Sequence, residues 1–169
     1  MIYRIVRIRL APDVTGPAIG VATLASGESP QDRLRHLLPA DRIPADRPLV
    51  LLWRGEPLSS PDTAAVTRSN KNGRAIDLRI ELRRFDGELH ANVVTVPVVE
   101  ADLGALEPGR YEVSIDVTEL WFSDLDHPEN AAKPSTQHTS FSFVVVDGQP
   151  VARSPRQKTG RNQLNTRNP

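Results

Sequence analysis

The 169-residue chain contains no cysteine, and this absence removes several kinds of site at once. It excludes a disulfide framework, a thiol nucleophile and any zinc or iron–sulfur site with cysteine ligands. No apolar run approaches the ~20 residues that a transmembrane helix needs, so we expect no membrane span. The fold must therefore be held together by core packing.

Net charge and aromatic side chains are also scarce. The chain has 21 Lys and Arg against 21 Asp and Glu, which gives a formal net charge of zero. Without a net charge there is no bulk attraction for nucleic acid or for an anionic membrane, and we expect neither as a partner. Two Trp, two Tyr and four Phe leave few rings for stacking on bases or sugars.

The sequence motifs of several common enzyme classes are missing. There is no G-x-S-x-G nucleophile turn, no phosphate-binding or dinucleotide-binding glycine loop, and no H-E-x-x-H zinc motif. The four histidines, His36, His90, His127 and His138, are not spaced as ligand pairs on one helix or strand. These absences count against an enzyme.

The length suits one domain, which we place at residues 1–150. Ser29 as N-cap and a proline at the first helical position predict a short helix at about residues 29–38. The prolines that follow predict a stiff connector at residues 39–48. Residues 151–169 carry five Lys and Arg, no acid and hardly an apolar group, which predicts a flexible basic tail.

Alternating and continuous apolar segments predict strands. In residues 2–10, Ile2, Val6 and Ile8 share one face. The continuous apolar run at residues 49–53 suits a central strand buried on both faces, with Trp53 as the core aromatic. An edge strand is predicted near residues 64–67.

A hairpin is predicted around Asp86 and Gly87. With a three-residue loop and Gly87 as a left-handed bulge residue, Leu78 would lie opposite Val94 and Ile76 opposite Val96. A two-residue turn would mismatch the apolar faces of the two strands, so the longer loop is favoured.

Residues 106–117 form a turn that leads directly into an alternating strand. Pro108 and Gly109 make the turn, and Tyr111 starts the apolar face of the strand. This pattern resembles bacterial immunoglobulin-like and fibronectin III-like sandwiches, in which such a tyrosine bonds back to the corner backbone. The resemblance implies an all-β fold, an immunoglobulin-like antiparallel β-sandwich. We expect leucines of the short N-terminal helix to plug one end of it.

A polar stretch at residues 123–137 separates that strand from a second alternating segment at residues 139–146. The two strands should form a hairpin. Alternating acids in the stretch, Asp124, Asp126 and Glu129, are weak candidates for a calcium site, with a solvated loop as the alternative. Long loops in compact domains are often functional.

We therefore predict a non-enzymatic binding or structural module that acts through residues 123–137 and a sheet edge, with another protein as its partner. The candidate binding residues are Trp121, Phe122, Asp124, Asp126, His127, Glu129 and His138. One alternative is a metal-dependent or hydrolytic enzyme built on His127, His138, Asp124 and Asp126. Another is a subunit of a larger assembly. The expected compartment is the cytoplasm if the chain is complete, and the periplasm or exterior if a leader was removed.

Overall fold

The computed structural model describes residues 1–9, 18–87 and 94–147, except for the side chains of residues 132 and 133. The predicted tail at residues 151–169 and His90 lie outside these ranges. Within them the elements are β1 (Ile2–Ile8), β2 (Ile19–Thr23), α1 (Pro30–Arg35), β3 (Ile43–Pro44), β4 (Leu49–Arg54), β5 (Thr63–Asn72), β6 (Ala75–Phe85), β7 (Val96–Gly104), β8 (Gly109–Phe122) and β9 (Ala132–Val146). Over the described part of the chain, no helix is long and apolar enough to cross a membrane.

The strands form two sheets, and the predicted all-β class is confirmed. The four-stranded sheet has the order β1-β7-β4-β2. The five-stranded sheet has the order β3-β9-β8-β6-β5 and curls into a half-barrel. The expectation of purely antiparallel pairing is wrong, because β6 pairs with β8 in parallel and so does β3 with β9. Between β6 and β8 the chain crosses to the other sheet as β7, so β8 returns in the direction of β6.

One hydrophobic core combines residues of both sheets. Four alternate residues of β6 point into it, and so do Tyr111, Val113 and Ile115 of β8. From the four-stranded sheet, β4 contributes Leu49, Leu51 and Trp53. Trp53 is thus buried in this core, at the position where the sequence places a core aromatic.

Strand β4 is buried on both faces, as its apolar run predicts. Its even-numbered residues, Val50 and Leu52, form a second cluster with Leu34 of α1. Helix α1 therefore covers the outer face of the four-stranded sheet. The expectation that the leucines of this segment plug the end of a sandwich does not hold for Leu34 and Leu37, because they shield this apolar outer face from water. Leu38, which follows the helix, packs against the main core.

Helix α1 begins where the sequence predicts. The Ser29 side chain accepts from the Asp32 amide at 3.2 Å, and the Asp32 carboxylate accepts from the Ser29 amide at 3.4 Å, which completes a capping box. The hydrogen bonds that Ser29 donates favour the ionised carboxylate, so the pKa of Asp32 lies below its ordinary value. The helix ends at Arg35, three residues earlier than predicted.

A buried ion pair fastens α1 to the sheet. Arg33 Nη1 lies 2.6 Å from Glu100 Oε1 of β7, and both side chains are 5% exposed or less. Arg33 Nη2 donates to the Ala25 carbonyl at 3.2 Å, while its buried Nε has no partner in the described structure. The more exposed Arg4 of β1 also contacts the Glu100 carboxylate. The two faces of β1 point to different clusters. Ile5 packs against the main core, whereas Ile8, on the opposite face, packs against the cluster that contains Leu34 of α1.

The predicted hairpin between β6 and β7 does not form. The two strands lie in different sheets, so Ile76 pairs with Lys71 and Val113, while Val96 pairs with Ile8. The hairpin partner of β6 is the preceding strand β5, an edge strand that contains the predicted residues 64–67. The β7 residues that share the main core with β6 are Val99, Ala101 and Leu103. Val98 lies on the opposite face of β7 and packs in the cluster with Leu34 of α1.

Strands β8 and β9 form the expected antiparallel hairpin. The strand after the loop begins at Ala132, not at residue 139, so the β8–β9 loop comprises only residues 123–131. The predicted connector at residues 39–48 contains β3, which pairs with the end of β9 through Ile43 and Pro44.

Candidate functional site

Strand β9 has a long edge that the described structure leaves open. Along one side β9 pairs with β8, but along the other it pairs with β3 only at Val145 and Val146. The Val144 amide donates away from β8, to the Ala40 carbonyl at 2.6 Å. Residues 134–142 have no backbone hydrogen-bond partner on this side among the described residues.

The direction of the Val144 amide fixes which groups face outward. In a strand, backbone N–H and C=O groups of successive residues point to opposite edges. The pairing of β9 with β8 is regular from Ser135 to Val145. Even-numbered residues in this stretch therefore point their backbone groups in the same direction as Val144, away from β8. Thr136, His138, Ser140 and Ser142 therefore direct their backbone groups outward. We call these groups the outer edge of β9.

Both side-chain faces of β9 are exposed along this edge. Every residue from Pro134 to Ser140 is exposed, and burial begins only toward Phe143. Residues 134–142 contain no Lys, Arg, Asp or Glu. Natural proteins commonly protect a long edge strand with such charges, so an edge without them is a template for pairing with another chain.

Other sheet edges are at least partly covered. Strands β1 and β5 meet where the sheets adjoin, with Tyr3 Oη donating to the Val66 carbonyl at 3.4 Å and Arg7 donating to the Asp62 carbonyl. On β2, the Val21 carbonyl accepts from the Leu38 amide at 2.8 Å. The second half of β5, residues 67–72, is also largely exposed, but it carries Arg68 and Lys71. The outer edge of β9 differs from it in having no such charges.

The β8–β9 loop adjoins this edge and carries three acidic residues, Asp124, Asp126 and Glu129. Asp124 Oδ1 accepts from the Asp126 amide at 2.9 Å, and His127 Nδ1 lies 3.1 Å from Glu129 Oε1. All four side chains are exposed. These contacts are internal to the loop and shape it as a turn with its carboxylates in solvent.

An apolar cleft of about 360 Å³ opens beneath the loop. It is lined by Pro61, Thr63, Arg83, Phe122, Leu125 and Pro128. Arg83 holds one side, because its Nη1 donates to the Pro128 carbonyl at 3.4 Å and its Nε contacts Glu81 at 2.7 Å. Leu125 is 45% exposed at the rim of the cleft.

Trp121 and Phe122 face opposite ways, as adjacent strand residues must. Phe122 is buried against Phe85, with ring centroids 5.5 Å apart. Trp121 is 42% exposed, and the Arg84 guanidinium lies 5.8 Å from its ring centroid. Arg84 Nε lies 3.1 Å from Glu119 Oε1, and this ion pair holds the guanidinium beside the indole. Trp121 can therefore contact a partner, whereas Phe122 supports the cleft.

The histidines of the proposed catalytic cluster are not brought together. His138 Nδ1 lies 2.8 Å from Asp116 Oδ1, and Asp116 precedes Phe122 by six strand residues, about 20 Å. His127, Asp124 and Asp126 belong to the loop beyond that point. Across the described ranges, no three His, Asp or Glu side chains are arranged to hold a metal ion. In the described structure His138 thus pairs with Asp116 of β8, and His127 pairs with Glu129 within the loop.

The turn that suggested the fold has the expected tyrosine contact. Tyr111 Oη donates to the Glu107 carbonyl at 3.0 Å, and its ring stacks on Phe143 at 5.2 Å. Gly109 follows Pro108 with a positive φ of 146°, a conformation that favours glycine. Gly87 does not have the predicted positive φ; it lies against the Phe85 ring, where a Cβ would be 2.2 Å from Cζ.

Sequence reasoning missed most of the outer edge of β9 because residues 134–138 lack apolar alternation. A run of Ser, Thr and Gln is typical of a loop, but a strand at the edge of a sheet can also have polar residues on both faces. Arg83 and Arg84, which support the loop and Trp121, were missed because their roles depend on the parallel β6–β8 register. Comparisons with protein-family models, with curated proteins and with solved structures found no match.

Proposed function

We propose that the protein is a non-enzymatic binding module, built on an immunoglobulin-like β-sandwich, that contacts another protein through the outer edge of β9 and the β8–β9 loop. The observation that carries this proposal is the outer edge itself. Residues 134–142 offer a row of backbone donors and acceptors without a partner among the described residues. Strand addition to such an edge is a common mode of protein recognition.

The surroundings of the edge support the same function. At the loop end, Trp121 and Leu125 present exposed apolar surface beside the polar strand. Backbone pairing supplies affinity in strand addition, while pockets for side chains supply specificity. The cleft above Phe122 is placed to be such a pocket for an apolar side chain of the partner.

The immunoglobulin-like architecture is supported by two observations. Residues of both sheets pack into one core, and Tyr111 bonds to the backbone of the preceding turn. The parallel pairing of β6 with β8 is a departure from the antiparallel pattern that the resemblance implies.

The proposal is tested by affinity capture from an extract of the source cells with two matched double variants. Trp121→Ser with Leu125→Ser removes the exposed apolar residues of the loop region. Ile2→Ser with Val94→Ser removes two exposed apolar residues elsewhere on the surface. We expect that a protein of the extract binds to the unmodified chain and to the variant changed at Ile2 and Val94. The same protein should not bind to the variant changed at Trp121 and Leu125. Identical retention by both variants would contradict the proposal.

A further inference from the structure

We infer that the outer edge of β9 pairs antiparallel with the same edge of a second copy of the chain, about a two-fold axis at His138. This inference rests on the proposed function and names its partner. Antiparallel pairing of identical strands is the natural two-fold arrangement, because each residue then contacts its symmetry counterpart. The outward positions are disposed symmetrically, with Thr136 opposite the Ser140 of the other copy and His138 opposite itself.

The hydrogen-bonding groups suit this register. Thr136, His138 and Ser140 all direct N–H and C=O outward, so three successive paired positions exchange about six hydrogen bonds between the copies. The nearby segment at residues 39–45 occupies the edge only beyond Phe143, where Ala40 and Ile43 meet β9. The open stretch is therefore long enough for this pairing and ends where the pairing would end.

The charges favour a copy of the same chain. Because residues 134–142 contain no Lys, Arg, Asp or Glu, two copies bring no fixed like charges into opposition. The formal net charge of zero means that the copies as a whole do not repel each other.

The residues that precede β9 and those that follow it carry charges of opposite sign, which suits an antiparallel arrangement of two copies. At one end lies the loop with Asp124, Asp126 and Glu129, all exposed. From the other end the chain continues toward residues 151–169, which contain five Lys and Arg and no acid. Within one copy these ends are about 50 Å apart along the fifteen residues of β9. Antiparallel pairing brings the acidic loop of each copy toward the C-terminal end of β9 in the other copy, from which that chain continues toward the basic segment.

The first test is the mass in solution, measured by sedimentation equilibrium on the full chain over a range of concentrations. We expect a reversible dimer. Ser140→Pro removes one outward donor per copy and no β8 ladder bond, so dimerisation should weaken roughly 30-fold for the two hydrogen bonds lost. The matched control Ser140→Ala keeps the backbone donor and should leave dimerisation unchanged. A monomer at all concentrations, or equal dimerisation of the proline and alanine variants, would overturn the inference.

The second test needs no proline and uses the absence of cysteine. In this register the two copies of His138→Cys lie about 5.5 Å apart between Cα atoms, within disulfide range, whereas the two copies of Ser142→Cys are far apart. Mild oxidation should cross-link the first variant at least tenfold faster than the second. Equal rates would overturn the register and the inference with it, and this result stands even if Ser140→Pro fails to fold.

The two proposals fail in distinguishable ways. If the chain is monomeric and His138→Cys does not cross-link, while a different protein is captured in a loop-dependent manner, the second copy is excluded and the binding module stands. If capture also shows no dependence on Trp121 and Leu125, both proposals are wrong.

Discussion

The buried pair of Arg33 and Glu100 provides a quantitative test of how α1 is held on the four-stranded sheet. Glu100→Leu removes the carboxylate and leaves the Arg33 guanidinium, 5% exposed, without its partner. Removing one member of a buried ion pair costs about 3–5 kcal/mol of unfolding free energy. For a domain of this size that corresponds to a fall in Tm of roughly 6–20 °C.

The structure also predicts an asymmetry between the two single variants. Arg33→Met leaves the Glu100 carboxylate in contact with Arg4, which is 57% exposed and can still compensate the charge. Its cost should therefore be smaller than that of Glu100→Leu. The double variant removes both buried charges and the unpaired Arg33 Nε, so it should regain most of the stability lost in Glu100→Leu.

Urea unfolding of the four proteins measures these differences as a double-mutant cycle. Arg4→Ala is the exposed control and should cost no more than about 1 kcal/mol. A loss below about 1 kcal/mol for Glu100→Leu, or additive losses in the double variant, would refute the buried pairing of α1 with β7.

Three further predictions concern other parts of the fold. Asp62→Ala removes an acceptor of the buried Phe85 amide at 2.9 Å and of the Ser59 amide at 3.0 Å, so unfolding free energy should fall by about 2–4 kcal/mol; an unchanged urea midpoint would exclude this role. Tyr111→Phe keeps the ring but loses the bond to Glu107, for a loss of about 0.5–1.5 kcal/mol in the same assay, and a neutral result would show that the bond is unimportant. Because the folded pKa of Asp32 is lowered, its contribution to α1 is present above its unfolded pKa and is lost as pH falls through the folded value. NMR amide shifts of residues 30–35 should therefore report fraying of α1 in acid, and a pH response identical in Ser29→Ala would contradict the capping box.

Local signals in the sequence were sufficient for several elements. Ser29 and Pro30 located the start of α1, because helix capping depends on neighbouring residues alone. The continuous apolar run of β4 indicated a strand buried on both faces, which the structure confirms. The alternation after Gly109 likewise located β8.

Pairing between distant segments could not be predicted in the same way. Strand β6 shows one apolar face, and this pattern fits a hairpin as well as a strand that faces another sheet across a core, as β6 faces β7. The partner of Arg33 was invisible for a related reason, since Glu100 is 67 residues away in sequence. Whether the edge of β9 is open depends on which segment of the chain lies beside it. Polar residues such as Gln137 do not indicate this neighbour.

Amide hydrogen exchange along β9, measured by NMR at several protein concentrations, tests the central claim most directly. At high dilution, the outward amides of Thr136, His138 and Ser140 should exchange freely, while the inward amides of Gln137 and Thr139 stay protected by β8. Raising the concentration should protect the outward amides as the second copy binds. Protection of the outward amides that does not change with concentration would show that the edge is already covered within one chain, and would contradict the account.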